Sequence, residues 1–141
     1  MTDYPLTPEL LLETYRIGVF PMADLATGVI HWFCPDPRGV INLDHFHVPD
    51  TLRRLVARRR FDLRIDTAFE AVIAACADRP ADQRWLSADL QAVYVGLHRL
   101  GAAHSVEAWR DGRLVGGLYG VALGGAFFGE SMFHRTANAG K

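Results

Sequence analysis

The stretch that decides the fold is HSVEAWRDGRLVGGLYGVALGGAFFGESMF, residues 104–133. Its first seven residues alternate in character and are rich in strand formers, which is typical of a β-strand. Asp111 and Gly112 follow, and this dipeptide favours a type I′ turn because both central residues of such a turn need a positive φ. A second strand is predicted at residues 114–123, a second tight turn at residues 124–125 and a third strand at residues 126–133. The sequence therefore predicts an antiparallel three-stranded meander.

The middle of this stretch carries no charge from Leu114 to Gly129, and it contains six glycines. Glycine weakens a strand, so this number indicates bulges or a backbone that another group approaches closely. The uncharged run ends at Glu130 and Ser131. Two interpretations remain open: an apolar slot with a carboxylate at its mouth, or a buried sheet with packing glycines and an edge glutamate. Composition alone favours the second.

Length and composition are typical of one globular domain with at most a small appendage. The chain has 141 residues, of which 50% are hydrophobic and 22% are charged, which excludes a disordered chain. The net charge of −1 gives no global argument for nucleic-acid binding, so any basic surface is local.

The cellular compartment is predicted from the cysteines and the amino terminus. Cys34 and Cys76 lack metal-ligand spacing, so we expect neither a zinc site nor a disulfide. The first ten residues have no basic or apolar region of a signal peptide, and no uncharged run is long enough for a spanning helix. We expect a soluble, cytoplasmic protein.

Residues 1–60 are predicted to form a small helix-and-strand unit. Thr7 and Pro8 favour a helix start, and that helix is expected to end near Ile17, before Gly18. The other elements predicted here are a turn around residues 20–24 and strands at residues 29–33 and 40–43. This unit is too poor in core residues to fold alone.

A helix opened by Pro49 and Asp50 is predicted to carry the only basic patch. Leu52, Leu55 and Val56 share one of its faces. The opposite face carries five arginines within eight positions: Arg53, Arg54, Arg58, Arg59 and Arg60. A charge run of this kind is usually a solvated helix face, whereas a protein that holds a nucleic acid needs such a surface for phosphate contacts.

A second unit is predicted to span residues 61–141, and it begins with a strand at residues 61–65. Asp66 is expected to cap a helix with an apolar stripe, and Ser87 is expected to cap the next helix, which Gly101 ends. Trp85 precedes that helix, where a hydrophobic staple is the ordinary role.

The sequence GGLYGVALGGAFFGESMF, residues 116–133, preceded by HSVEAW, closely resembles the bacterial leucyl/phenylalanyl-tRNA–protein transferases. PLTPELLLETYRIGVFPM and HWFCPDPRGV, residues 5–22 and 31–40, resemble the amino-terminal motifs of the same family. The resemblance covers nearly the whole chain, and its GESMF and W-x-x-PDPR blocks are specific. Cys34 stands where the family usually has serine, which is a mild departure.

This resemblance implies an α+β fold, in which the small amino-terminal unit is followed by the first half of an acetyltransferase-like (GNAT) domain. In the family a segment similar to N-A-S-K begins the next helix, and here Gly140 replaces the serine. The proposed proton-relay residues of the family, an aspartate and a glutamine, are expected beyond Lys141. We therefore expect the chain to be truncated and to be inactive in this form.

The resemblance further implies an aminoacyltransferase that moves Leu or Phe from aminoacyl-tRNA to the amino-terminal Arg or Lys of acceptor proteins, which marks them for degradation. Aminolysis of an activated ester needs a neutral amine, a path for its proton and stabilisation of the oxyanion. It needs no cofactor or metal. The implied partners are Leu-tRNA, Phe-tRNA and the acceptor proteins; we expect no membrane partner, and a monomer when the protein is complete.

The aromatic and basic residues receive roles by the same resemblance. Trp32 is expected to stack on the 3′-terminal adenine, and Trp85 to form a second wall of the adenosine site; without the resemblance, core packing is the ordinary role of Trp32. The five arginines at positions 53–60 are expected to contact the tRNA acceptor arm. Arg38 is expected either to bind phosphate or to brace its turn through Asp36.

The GESMF region is expected to hold the aminoacyl group. Leu118, Phe127 and Met132 match the family positions that contact the leucine or phenylalanine side chain. Glu130 is expected to bind the cationic acceptor residue or the aminoacyl amine, and it is the one catalytic candidate within the chain. Ser131 is expected to help hold the ester end.

The histidines do not predict a metal site, because no third ligand follows His45 and His47 at a suitable spacing. His98 is expected at the surface, and His104 is expected to orient a neighbour by a hydrogen bond.

Two alternative functions remain. One is a coenzyme-A-dependent acyltransferase of the same fold, but residues 133–140 lack the glycine-rich pyrophosphate loop that it needs. The other is a catalytically inactive tRNA-binding remnant.

Overall fold

The computed structural model describes residues 5–141, and within that range it contains four α-helices and six β-strands. The helices are α1 (Pro8–Arg16), α2 (Asp50–Ala57), α3 (Phe69–Ala77) and α4 (Ala88–Arg99), and the strands are β1 (Phe20–Ala23), β2 (Ile30–Phe33), β3 (Asp62–Ile65), β4 (Ala103–Arg110), β5 (Arg113–Leu123) and β6 (Ala126–His134). Residues 1–4 lie outside the described residues. They are the first residues of the predicted 1–60 unit and part of the ten-residue stretch in which no signal peptide is predicted. The architecture is a mixed α+β fold with antiparallel sheets.

The main sheet has the strand order β3-β4-β5-β6, and all of its neighbours are antiparallel. This confirms the predicted meander. Asp111 and Gly112 have φ values of 52° and 70°, as a type I′ turn requires. Side chains alternate along β4 and β5, so that Ser105 and Tyr119, which are paired, are buried on the face that α3 and α4 cover.

One hydrophobic core joins the amino-terminal helix to the main sheet. Leu11 and Tyr15 of α1 lie in the same cluster as residues of α3, α4, β4 and β5. Both are buried, with 0% and 2% exposure. The amino-terminal unit therefore contributes directly to the core of the rest of the described chain.

The two-stranded sheet corrects two predictions. Residues 20–23, expected within a turn, form β1, which pairs with β2 and places Pro21 opposite Trp32. Proline is tolerated because the ribbon has no central strand.

The strand predicted at residues 40–43 is wrong: these residues form no strand, Leu43–His45 is a 3₁₀ helix, and Val40 is 82% exposed.

The helix starts follow the predicted caps in two cases and not in a third. Thr7 and Ser87 each accept a backbone N–H of the following helix, from Leu10 and Leu90, at 3.2 Å. Asp66 does not cap α3. It has a φ of 59°, and its carboxylate accepts the backbone N–H of Ser105 at 2.8 Å.

Of the two histidines in this region, one agrees with its predicted role and the other does not. The Nδ1 atom of His104 lies 2.7 Å from Oδ2 of Asp66, as its predicted orienting role requires. His98 is not a simple surface residue, because its ring stacks on Phe69 with centroids 4.2 Å apart and its Nδ1 lies 2.8 Å from the carbonyl oxygen of Ala103. Stacking on an aromatic ring explains this position.

Within residues 5–141, none of the helices has the length and apolar character needed to cross a membrane.

Candidate functional site

A β-bulge in β6 positions the central carboxylate. Tyr119 pairs with Ser131 and Gly120 pairs with Gly129, so that Glu130 is an extra residue without a partner in β5. In a regular strand, Glu130 and Ser131 would lie on opposite faces of the sheet. A bulge re-aims a side chain, and here the Glu130 carboxylate faces the helices, where Tyr94 donates a hydrogen bond to its Oε2 at 3.3 Å.

Two buried tyrosines support this carboxylate from the helices. The hydroxyl oxygens of Tyr15 on α1 and Tyr94 on α4 are 2.9 Å apart. Burial raises the pKa of both hydroxyls well above the ordinary value, so both remain protonated. The three groups form a continuous chain of hydrogen bonds from α1 to β6.

A cavity of about 230 Å³ opens beside the carboxylate. Its lining comes from β1, from the loops around Arg38 and Trp85, and from the bulge: Phe20, Met22, Arg38, Trp85, Gly129 and Glu130. The backbone N–H of Ala23 donates to the carbonyl oxygen of Trp85 at 3.0 Å, and this bond fixes β1 against the wall that carries Trp85.

Arg38 binds a backbone carbonyl rather than Asp36, through which it was expected to brace its turn. Its Nη1 donates to the carbonyl oxygen of Gly18 at 2.9 Å. Its guanidinium lies 5.4 Å from the ring centroid of Phe20 and 5.3 Å from that of Phe128, both within cation–π range. Arg38 thus joins the β1–β2 ribbon to the main sheet and presents a positive charge to the cavity.

The electrostatics of the cavity centre on Glu130. Burial raises its pKa above the ordinary glutamate value, while hydrogen bonds from Tyr15 and Tyr94 and the charge of Arg38 act in the opposite direction. A carboxyl group with a raised pKa in a cleft is a common feature of functional sites. The cavity offers one carboxyl group and one cation beside an aromatic wall.

The three apolar residues predicted to hold the amino-acid side chain lie on the opposite face of the sheet. Leu118 pairs with Met132, and both line a second cavity of about 210 Å³. The ring of Phe127 covers Gly120, since a Cβ on Gly120 would lie 2.6 Å from Phe127 Cζ. The structure thus brings these three residues to one face but separates them from the Glu130 carboxylate.

Trp32 and Ser131 also lie outside the 230 Å³ cavity. Trp32 is 42% exposed and opposes Pro21, whereas the cavity is lined by the alternate β1 residues, Phe20 and Met22. The Oγ of Ser131 accepts a hydrogen bond from Arg79 Nη2 at 3.4 Å. Ser131 therefore supports the strand from the helix side.

The predicted basic helix is α2, and none of its eight residues is buried. The helix is shorter than expected, because it ends at Ala57, so that only Arg53 and Arg54 lie within it and Arg58, Arg59 and Arg60 follow its end. Arg54, Arg58 and Arg60 line a cavity of about 270 Å³ together with Lys141. Among residues 5–141, no carboxylate forms an ion pair with any of the five arginines at positions 53–60. Their charges are available for an anionic partner.

Comparison with known proteins assigns the family. Residues 40–141 match the family described as leucyl/phenylalanyl-tRNA protein transferase, and residues 5–36 match the amino-terminal domain of that family. The chain belongs to the leucyl/phenylalanyl-tRNA protein transferase family.

Three proteins named leucyl/phenylalanyl-tRNA–protein transferase are among its relatives. The one from Salinibacter ruber is 55% identical over 136 residues, which cover 96% of this chain and 59% of the relative. Those from Gloeobacter violaceus and Rubrobacter xylanophilus are 54% and 55% identical, and the matches cover 96% of this chain and 69% and 70% of the relatives. The chain therefore spans about three fifths to seven tenths of the length of these relatives.

The two family matches meet at the cavity. The amino-terminal match contributes Phe20 and Met22, and the second match contributes Trp85, Gly129 and Glu130. In this transferase family member, the cleft beside Glu130 is thus assembled from both matched segments.

Sequence reasoning missed Tyr15 and Tyr94 as members of the site. Tyr94 belongs to the buried apolar stripe of α4, and Tyr15 belongs to the corresponding buried stripe of α1. The two residues are 79 positions apart, so no local pattern indicates that their hydroxyls meet. The signal available in the sequence was only that both stripes contain a residue with a polar end, which needs a partner when buried.

Proposed function

We propose that this chain serves an aminoacyltransferase that moves Leu or Phe from aminoacyl-tRNA to the amino-terminal Arg or Lys of acceptor proteins, which marks those proteins for degradation. The observation that carries the proposal is the cleft in which Glu130 and Trp85 meet, in a chain 55% identical to a named transferase. The names of the relatives support aminoacyl transfer. The choice of Arg or Lys acceptors comes from the family resemblance.

The cavity beside Glu130 is proposed to hold the adenosine end of the aminoacyl-tRNA. Trp85 supplies a stacking surface, and base stacking on an aromatic side chain contributes about 1–3 kcal/mol. Trp32 is proposed as the second aromatic contact, reached from its exposed side. Glu130 is proposed to bind the aminoacyl amine or the cationic acceptor residue.

The apolar face of the sheet is proposed to hold the leucine or phenylalanine side chain through Leu118, Phe127 and Met132. Gly129 joins the two faces: it lines the Glu130 cavity, and a Cβ built on it would lie 3.8 Å from Leu118 Cδ1. The aminoacyl ester is proposed to cross the edge strand β6 at Gly129, where no side chain obstructs it, with Ser131 beside the ester.

The remaining features of the proposal concern the whole protein. The arginines at positions 53–60 are proposed to bind phosphates of the acceptor arm. The sheet is proposed to be part of an acetyltransferase-like (GNAT) domain that begins at residue 61, in a cytoplasmic monomer. No cofactor or metal takes part in the proposed reaction, because the ester is already activated.

The test is transfer of labelled leucine from Leu-tRNA to a peptide that begins with Arg. It is run with the chain alone, with the chain joined to the part of the Salinibacter ruber relative that lies outside the match, and with that relative itself. Transfer by either form of the chain supports the proposal. A positive relative together with two inactive forms overturns it, and binding of coenzyme A would favour the other acyltransferase class.

A variant of Gly129 tests the crossing. Gly129→Ala adds a methyl group that meets only an ordinary contact, so folding should be unchanged. We expect transfer of leucine to fall by about tenfold, while the affinity for uncharged tRNA stays the same. Unchanged transfer would contradict the crossing at Gly129 but not the reaction.

A further inference from the structure

We propose that the hydroxyl groups of Tyr15 and Tyr94 form a relay that fixes the Glu130 carboxylate in its cavity, which makes both tyrosines positioning residues for the transfer reaction. This inference rests on the proposed function for its catalytic consequence. The geometry of the relay stands independently of the reaction.

The direction of the hydrogen bonds follows from proton counting. Tyr94 has one hydroxyl proton, and the structure directs it to Oε2 of Glu130 at 3.3 Å. The proton between the two tyrosines, whose oxygens are 2.9 Å apart, must therefore come from Tyr15. Tyr15 donates to Tyr94, and Tyr94 donates to Glu130.

The relay joins three elements that the sequence brings together only in the folded state. Tyr15 lies on α1, Tyr94 on α4 and Glu130 in the bulge of β6. The rings are held by packing: Tyr15 meets Phe128 edge to face at 5.2 Å, and Tyr94 meets Tyr119 in the same way at 5.3 Å. Such fixed rings leave the carboxylate little choice of orientation, as a preorganised site requires.

The charged and titratable groups that face Glu130 come from each element around it. Tyr15, Tyr94 and the Arg38 guanidinium favour its ionised form. Tyr119 of β5, which is close to Tyr94, Glu130 and Cys76, has a pKa raised first by burial. Since hydrogen bonds from the tyrosines stabilise the carboxylate, their removal must raise the pKa of Glu130 further.

Tyr119 provides a matched control. Its side chain is as buried as that of Tyr94, with 0% exposure for both, but its hydroxyl has no hydrogen-bond partner among the described residues. Tyr119→Phe removes the same atom from the same core without touching the relay.

The experiment is an NMR titration of the Glu130 side-chain carboxyl carbon in the parent chain and in four variants: Tyr94→Phe, Tyr15→Phe, the double variant and Tyr119→Phe. We expect Tyr94→Phe and Tyr15→Phe each to raise the pKa of Glu130, and Tyr119→Phe to leave it unchanged. Because the two hydroxyls are hydrogen-bonded to each other and act on the same carboxylate, the effects of the two substitutions should not add in the double variant. An unchanged pKa in folded Tyr94→Phe, or additive effects of the two tyrosines, would overturn the relay.

The kinetic consequence is measured in the form of the protein that transfers leucine. Tyr94→Phe should lower kcat/KM by about tenfold to a hundredfold, the effect of losing one hydrogen bond to a charged group, and should move the acidic limb of the pH profile to higher pH. A loss that is equal at every pH would show a purely structural role and overturn the positioning claim. If the parent transfers nothing while the titration shows the relay, only the proposed function fails.

Discussion

Two glutamates on the helix side of the main sheet have opposite surroundings. Glu107 is fully buried, with 0% exposure, and its oxygens accept hydrogen bonds from Ala68 N at 2.7 Å, Ser105 Oγ at 2.9 Å and Trp109 Nε1 at 3.0 Å, and from the Thr67 hydroxyl. Burial acts to raise its pKa, but these four bonds outweigh that effect and hold the pKa below the ordinary value. Glu130 has fewer donors, Tyr94 at 3.3 Å and the Tyr15 hydroxyl beside it, and burial dominates.

We expect Glu107→Gln to destabilise the protein by about 2–4 kcal/mol, because the amide NH₂ would face donors and leave at least one buried N–H or O–H unpaired. The measurement is the free energy of unfolding in urea at neutral pH. Glu70→Gln is the control: Glu70 is exposed and pairs only with Arg99 at 3.1 Å, so its loss should cost less than about 1 kcal/mol. Equal effects of the two substitutions would contradict this account of Glu107.

Glu130→Gln should act in the other direction and stabilise the fold at neutral pH by about 0.5–2 kcal/mol, the range that single stabilising substitutions commonly give. The amide oxygen can still accept the Tyr94 proton, and the cost of burying a carboxylate disappears. Urea unfolding at neutral pH checks this, and a destabilised variant would show that Glu130 contributes to the fold rather than only to the site.

The pH dependence of stability separates the two residues by sign. The folded-state pKa of Glu107 is depressed, so its contribution is present above the unfolded-state pKa and is lost as the pH falls through the folded-state value. The folded-state pKa of Glu130 is raised, so its cost is absent below the unfolded-state pKa and appears as the pH rises towards the folded-state value. The stability gained in Glu130→Gln should therefore shrink on acidification.

At the scale of elements, the pairing of β5 with β6 depends on close backbone packing at Gly120. A Cβ there would meet the carbonyl oxygen of Phe128 and the ring of Phe127. We expect Gly120→Ala to destabilise the protein by about 1–3 kcal/mol, the usual cost of overpacking. Gly125→Ala is the control, since a Cβ at Gly125 meets nothing within 4 Å. Urea unfolding compares the two, and equal stabilities would contradict the close approach.

The α2 helix carries a prediction about tRNA binding. Replacement of Arg53, Arg54 and Arg58 by Gln should reduce the slope of log affinity against log salt concentration by about 0.9 for each duplex phosphate contact removed. A variant with the same change in charge at three exposed arginines elsewhere, Arg110, Arg113 and Arg135, should keep the parent slope. Equal slopes for all three proteins would show that α2 is only a solvated face.

Local chemistry explains which elements could be predicted from the sequence. The Asp111-Gly112 turn and the Thr7 and Ser87 caps depend on neighbouring residues alone, and all three are confirmed. β1 could not be predicted because proline disfavours a strand, and Pro21 lies in the middle of this segment. The segment is a strand only because it pairs with β2. Residues 40–43 favour a strand by composition, but no strand among residues 5–141 pairs with them.

The candidate site was predictable only in part. Glu130 could be singled out because a carboxyl group ends a long uncharged run. Its orientation depends on a bulge that the letters GES do not indicate, and its support by Tyr15 and Tyr94 depends on contacts between distant segments. The cap at the start of α3 is a similar case: Asp66 is the nearer residue in sequence, but Glu107 of β4 accepts the N–H of Ala68.

For the whole described chain, the shared core predicts that the two predicted units unfold together. Leu11 of α1 is fully buried in the cluster formed with α3, α4 and the sheet. Leu11→Ala should cost about 2–5 kcal/mol, as for other buried leucines, and the loss should appear equally in probes of both units. Tryptophan fluorescence, which includes Trp32 and Trp109, and far-UV circular dichroism should give one coincident transition. Separate transitions would show that the unit before residue 61 folds independently.

The single extra residue in β6 means that the number of residues in this strand decides which face of the sheet carries Glu130. After the bulge, from Ser131 onward, each side chain of β6 lies on the same face as its partner in β5. Before the bulge the same is true up to Gly129, which pairs with Gly120. Loss of one residue here would restore simple alternation and turn a carboxylate out of the cleft without changing the chemistry of any remaining side chain. The number of residues in this strand therefore determines the cleft as much as their identity does. Deletion of one residue would change the cleft more than most substitutions within it.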